Sequence, residues 1–220
     1  MSDDASRFVR HDGPVPVLDL SSELTHRPPS AVGTNAYGAA VAAVRAAGWP
    51  GVVLPEAQVV GVRVLPVVAF TGVWQRLADR VGPERRLAIL EAWEAGASLR
   101  ALGAKRAPEP PAAPLRVVGF ISAAPRWDRA LHDVATLGGL GAGLVLRSHC
   151  PSDLQLLEAD ASNMWVVADT DAGMTLCVTG RLGPVSTAYR VPATRLIEEG
   201  LFAHALDCGA VTPPSGQVTD

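Results

Sequence analysis

Apolar and polar positions divide the chain into short, well-marked elements. After a polar start, Pro14 to Leu20 (PVPVLDL) reads as a short strand with Pro at its entry, and Ser21 to Gly33 as a loop. From Thr34 to Ala47 small apolar residues recur at helical spacing (Tyr37, Val41, Val44), with Thr34 or Asn35 placed to cap and Gly48 to close the helix. Two β-rich runs, Gly51 to Pro55 and Val59 to Phe70, predict a hairpin or two adjacent strands. Gly72 to Val81 and Pro83 to Ala95 read as helices, the second with Pro at its first turn.

Ala107 to Pro114 (APEPPAAP) interrupts this pattern, because four prolines in eight residues neither continue a helix nor sit inside a sheet. The expected organisation is therefore a flexible N-terminus (1–14), a first α+β sub-domain (15–106), a Pro-rich linker (107–114), a second α+β sub-domain (115–211) and a flexible tail (212–220). The second half opens with the strand Leu115 to Ser122. A helix over Pro125 to Leu137, a glycine-rich stop at Gly138 to Gly143 and a strand over Leu144 to Ser148 complete a βαβ unit in outline. A short helix, Pro151 to Asp160, leads to three β runs, Trp165 to Ala168, Met174 to Gly180 and Val185 to Val191, joined by turn-prone segments as in an antiparallel meander. Ala193 to Leu206 reads as a last helix, stopped by Gly209. The fold class that follows is α+β: mixed sheet or sheets with a βαβ-like unit and a C-terminal antiparallel meander, packed by helices.

Composition narrows the function classes. Of 220 residues 48% are apolar, and the net charge is only -3, which excludes a chain disordered throughout. No basic stripe of the kind that neutralises phosphates is visible, so nucleic acid is not an expected partner. No apolar run reaches the roughly 18 residues of a membrane span, and the acidic start Met1-Ser2-Asp3-Asp4 is unlike a secretory signal. Lys105 is the single lysine, and the Arg, Ala, Val, Gly and Pro bias fits GC-rich, bacterial coding. The odd set Cys150, Cys177 and Cys208 lacks C-x-x-C spacing, so reduced thiols in a cytoplasmic protein are expected, with no disulfide framework or zinc ribbon. The five histidines show no ligand spacing, so neither a metal nor a cofactor is expected.

The densest reactive cluster is Ser148-His149-Cys150-Pro151-Ser152-Asp153, where a predicted strand passes into a helix. Ligands gather at such carboxyl ends of strands, and a thiol near a helix N-terminus is a competent nucleophile when a base is near. Cys150 with a histidine base is thus the catalytic alternative. His149 is the nearest in sequence, but adjacent strand side chains point to opposite faces, so His132, His204 or His11 would have to fold in. The simpler expectation is a Cys150 thiol at the edge of a core, slow to react, with Ser152 or Asp153 capping the helix.

Asp169-x-Asp171 resembles the opening of the haloacid-dehalogenase phosphatase motif, whose aspartates attack phosphate and help hold magnesium. Only 49 residues follow Asp171, however, whereas that motif opens its domain, and Asp with Gly173 is what a hairpin turn requires. Gly138 to Gly143 has the wrong polarity for a phosphate loop, since it follows a helix and precedes a strand. Arg85 to Lys105 leaves no room for a recognition helix and reads as an amphipathic helix plus a short second turn, with Arg85, Arg86, Arg100, Lys105 and Arg106 on a solvated face. Most tryptophans are core candidates, whereas Trp49, beside Pro50-Gly51, is expected in an exposed turn as a binding contact. The function expected is a non-enzymatic binding or regulatory module acting on a protein or a small molecule.

Overall fold

A computed structural model of the protein describes residues 34–72, 74, 82–101, 111–185 and 192–211. The predicted strand at 14–20, nearly all of the helix at 72–81, residues 107–110 of the Pro-rich segment, the run 186–191 and both predicted flexible ends lie outside the described residues.

Among the described residues, five helices pack on a seven-stranded mixed sheet, the α+β class expected. The elements are α1 (Thr34–Ala46), β1 (Val52–Val53), β2 (Ala57–Val59), β3 (Val62–Phe70), α2 (Pro83–Ala101), β4 (Leu115–Ser122), α3 (Trp127–Thr136), β5 (Ala142–Arg147), α4 (Asp153–Ala161), β6 (Trp165–Thr170), β7 (Gly173–Val178) and α5 (Pro192–Asp207). The strand order is β1-β3-β4-β5-β6-β7, with β2 also paired to β3.

The β-rich region before the Pro-rich segment forms a hairpin. Both β1 and β2 pair antiparallel with β3, and Val60-Gly61 makes the two-residue turn between β2 and β3. Both turn residues have positive φ (49° and 75°), as a type I′ turn demands, although a β-branched residue is an unusual occupant of its first position. β3 then pairs antiparallel with β4, so strands on either side of the Pro-rich segment meet in one sheet. The described end of that segment is tied in, since Thr71 Oγ1 donates to the Ala113 carbonyl at 2.6 Å and Pro114 is buried.

β4, β5 and β6 are parallel, linked by α3 and α4. Trp165–Thr170 therefore does more than open an antiparallel meander: it closes a second βαβ unit on β5 and then turns back through Asp171-Ala172 into β7. Side chains along these strands alternate between faces. Ile121, Leu144, Leu146, Trp165 and Val167 meet Ala40, Ala43 and Val44 of α1. On the opposite face Val145 and Val166 meet Ala130, Leu131 and Val134 of α3 and Ala159 of α4, while Phe120 and Val68 meet Ile197, Leu201 and Phe202 of α5. A sheet covered on both faces explains why β5 is apolar almost throughout.

Helix ends follow their sequence signals. Trp49 N–H reaches the Val44 carbonyl at 3.0 Å and Gly48 N–H the Arg45 carbonyl at 3.1 Å, a Schellman closure of α1 around Gly48. Asn163 closes α4 in the same way at φ 56°. α2 runs on through Gly96 and Ser98 to Ala101, past the expected stop at Ala95, because neither residue is enough to end a helix whose next turn remains hydrogen-bonded.

Arg85 is not on a solvated face. Its side chain is only 11% exposed and pairs at 2.8 Å with Glu199, which also pairs with Arg195. Arg85 and Arg195 both donate to the Ala112 carbonyl, so α2, α5 and the Pro-rich segment converge on one buried ionic cluster.

Candidate functional site

The carboxyl ends of β4, β5 and β6 form the edge where a parallel sheet gathers ligands. At the end of β4, Ser122 is buried and its hydroxyl donates to Asp133 of α3 at 3.3 Å. Asp133 also pairs with Arg129 at 2.8 Å, which offsets the cost of a buried carboxylate. At the end of β5, Arg147 donates to the Ala124 and Pro125 carbonyls, both at 3.0 Å, and fixes the β4–α3 turn against β5. Trp127 Nε1 donates to Glu158 at 2.7 Å and ties α3 to α4.

Next to this edge, Arg126, Asp128, Arg129 and His132 line an open depression of about 410 Å³. Its charges answer one another: Arg126 pairs with Asp128 and Arg129 with Asp133. The Arg126 hydrogen bond holds the Asp128 carboxyl below the usual carboxylate range.

Cys150 and His149 lie in the turn that leaves β5, and both are exposed. The expectation of a core-edge Cys150 is corrected here: β5 ends at Arg147, and the chain has left the sheet before it reaches the thiol. His149 Nδ1 lies 3.3 Å from Ser148 Oγ. His132 lines the depression, and His204 Nε2 lies 3.1 Å from the Pro55 carbonyl. His11 is outside the described residues. The Cys177 thiol on β7 interacts with Cys150. Burial pushes the Cys177 thiol above the usual thiol value, and the neighbouring Cys150 thiol pushes the same way.

Trp49 occupies a buried position, 5% exposed, with its ring edge-on to Trp165 at a centroid distance of 5.9 Å. The Schellman closure of α1 turns it inward over Gly119, where a Cβ would stand 2.5 Å from the indole. The exposed-turn expectation failed because Pro50-Gly51 marks the turn correctly but does not say which way the preceding ring points.

Asp169 and Asp171 are exposed and belong to the β6–β7 hairpin, where Gly173 takes φ 101° and Thr170 Oγ1 donates to its carbonyl at 2.9 Å. Among the described residues no group of three or more metal-ligating side chains is found, and no helix is long and apolar enough to cross a membrane.

α4 carries the largest feature that sequence reasoning missed. Its capping box works as its sequence suggests: the Ser152 side chain accepts from Gln155 N–H, and Gln155 Oε1 accepts from Ser152 N–H. Leu156 and Ala159 then face the sheet, which turns Leu154 and Leu157 outward, 77% and 65% exposed. Ala161 is exposed one turn further on, and Asp153, Glu158 and Asp160 flank the stripe. Five of the nine residues of α4 are apolar, and the sequence alone does not separate those that face the sheet from those left in water.

No protein-family model, curated protein or solved structure matches this chain.

Proposed function

We propose that the chain is a non-enzymatic binding or regulatory module that engages a protein partner through the outer face of α4. The carrying observation is the pair Leu154 and Leu157, 77% and 65% exposed on successive turns. Burying a leucine fully is worth roughly 1.5–3 kcal/mol, so a partner that covers both gains a compact energetic centre. α4 has acidic residues at 153, 158 and 160 and no basic residue, so the complementary surface is an apolar groove edged by Arg or Lys. The same charge repels nucleic-acid phosphates.

A protein fits better than a small molecule. The depression lined by Arg126, Asp128, Arg129 and His132 is open, and its charges are already paired with one another. The catalytic alternative, Cys150 as nucleophile, draws support from the exposure of that thiol at a strand's carboxyl end, and the neighbour that the fold gives it there is a second thiol, Cys177.

A photo-crosslinking amino acid at position 157, in the cells that make the protein, tests this reading, with position 58 on the far hairpin as control. The expected result is one discrete adduct from 157 alone, its cross-linked peptide placing Arg or Lys beside apolar residues. Identical patterns from both positions, or none, would reject α4 as the contact face.

A further inference from the structure

Cys150 and Cys177 are 27 residues apart in sequence and belong to different elements, yet the fold sets their thiols side by side. Three features of the chain produce the encounter. β5, β6 and β7 are successive neighbours in the sheet, and α4 crosses back over β6 and β7, so the turn that begins α4 is carried toward β7. Cys177 is the extra residue of a bulge, because Val167 pairs with Leu176 while Val166 pairs with Val178. Both Cys177 and Val178 therefore pack on the α4 face, where regular alternation would have sent one of them to the other side. The third feature is the capping box, which holds Ser152, two residues after Cys150, in a fixed extended conformation (φ −69°, ψ 160°).

We infer that Cys150 and Cys177 form a reversible dithiol–disulfide pair, a redox-sensitive site that is oxidised by hydroperoxides. The exposed Cys150 sulfur attacks one peroxide oxygen, the O–O bond breaks, and the other oxygen leaves as hydroxide and takes up the thiol proton as water, so that Cys150 is oxidised by two electrons to a sulfenic acid while the peroxide is reduced by two. The Cys177 sulfur then attacks Cys150, the S–S bond forms, the S–O bond breaks, and a second water leaves with the proton given up by Cys177. In sum, two thiols and one hydroperoxide give one disulfide and two waters when the oxidant is hydrogen peroxide.

The order of events follows from the two environments. Cys150 is open to solvent, whereas Cys177 is part-buried, so Cys150 meets the oxidant first and Cys177 resolves. The disulfide would pin the start of α4 to the edge of the sheet. Cys208 is an internal control: it is exposed near the end of α5, which packs on the β3–β4 side of the sheet, and no thiol is placed beside it among the described residues.

The test is peptide mapping of the full-length protein after brief exposure to hydrogen peroxide, followed by alkylation of the remaining thiols. Cleavage after Arg147 and Arg181 leaves both cysteines in one peptide, so a second cut after Glu158 is needed to separate them. The expected result is a pair of peptides, one with Cys150 and one with Cys177, joined by a bond that dithiothreitol breaks, together with a loss of 2 Da from the intact chain and two of the three thiols. Cys208 should remain alkylated. In Cys177→Ser, the Cys150 oxidation should stop at sulfenic acid, trapped by dimedone, or run on to sulfinic acid. Over-oxidation of Cys150 in the wild type without the cross-link, or linkage to Cys208 as often as to Cys177, would overturn the inference.

Discussion

Glu199 lies where α2, α5 and the end of the Pro-rich segment converge. Its carboxylate accepts from Arg85 Nε at 2.8 Å and pairs with Arg195 at 2.5 Å, and the Glu199 side chain is 3% exposed. Glu199→Ala leaves two guanidinium groups in the same space with one carboxylate fewer to face them. Breaking a buried pair from one side typically costs about 3–5 kcal/mol, a large share of the roughly 5–15 kcal/mol by which a fold of this kind is stable. With a urea slope of about 3 kcal/mol/M, the unfolding midpoint should fall by roughly 1–1.7 M. Urea titration followed by both far-UV circular dichroism and tryptophan fluorescence measures this and checks that unfolding stays two-state. The double change Arg195→Met with Glu199→Leu removes one charge of each sign and should be milder than Glu199→Ala alone. A midpoint within about 0.2 M of wild type for Glu199→Ala would refute the claim that this cluster holds the two sides of the Pro-rich segment together.

Three further outcomes follow from the geometry. Gly143→Ala should lower stability by about 1–3 kcal/mol in the same titration, because a Cβ there would stand 2.5 Å from Met164 Sδ and 2.9 Å from Val134 Cβ in the packed layer under α3. The Cys177 thiol is raised in the fold, so the stability it contributes is full below the unfolded thiol value, about 8.5, and is lost as pH climbs through the folded value. Melting temperature should therefore fall more steeply above about pH 8.5 in the wild type than in Cys177→Ser, and parallel curves would contradict this. Asp169→Asn and Asp171→Asn should each change stability by under about 1 kcal/mol, since both carboxylates are exposed in a hairpin; a magnesium-dependent thermal shift abolished by either change would contradict the turn assignment.

The elements with strong local signals were legible in the sequence. Leu115–Ser122 is a strand over the span its apolar run suggested, and Gly48, Ser152 and Gly209 cap where their residue types predict. What local signals do not carry is the partner of a strand. Trp165–Thr170 looks the same whether it pairs with β5 in parallel or only with β7, and the choice is made by α4, whose inward Leu156 and Ala159 need a sheet face to cover. The same holds for side-chain direction at Trp49 and Arg85. Cys150 was legible as a reactive position, but Cys177 was not legible as its neighbour, because their meeting depends on a bulge that no residue type announces. The outward leucines of α4 were hidden for a similar reason: periodicity marks an apolar helix, and only the position of the sheet decides which of its residues are left in water.

The claim that α4 is the contact face is tested most directly by the dissociation constant of the cross-linked partner for wild type and for the double variant Leu154→Glu, Leu157→Glu. Both side chains point to solvent in the free protein, so the variant should keep its fold and melt within a few degrees of wild type. If each leucine contributes roughly 1.5 kcal/mol on burial, the double change should weaken binding by at least about 100-fold. Cys150→Ser should leave the constant unchanged. Undiminished binding by the leucine variant, or loss of binding in Cys150→Ser alone, would contradict the account and place the function at the thiol.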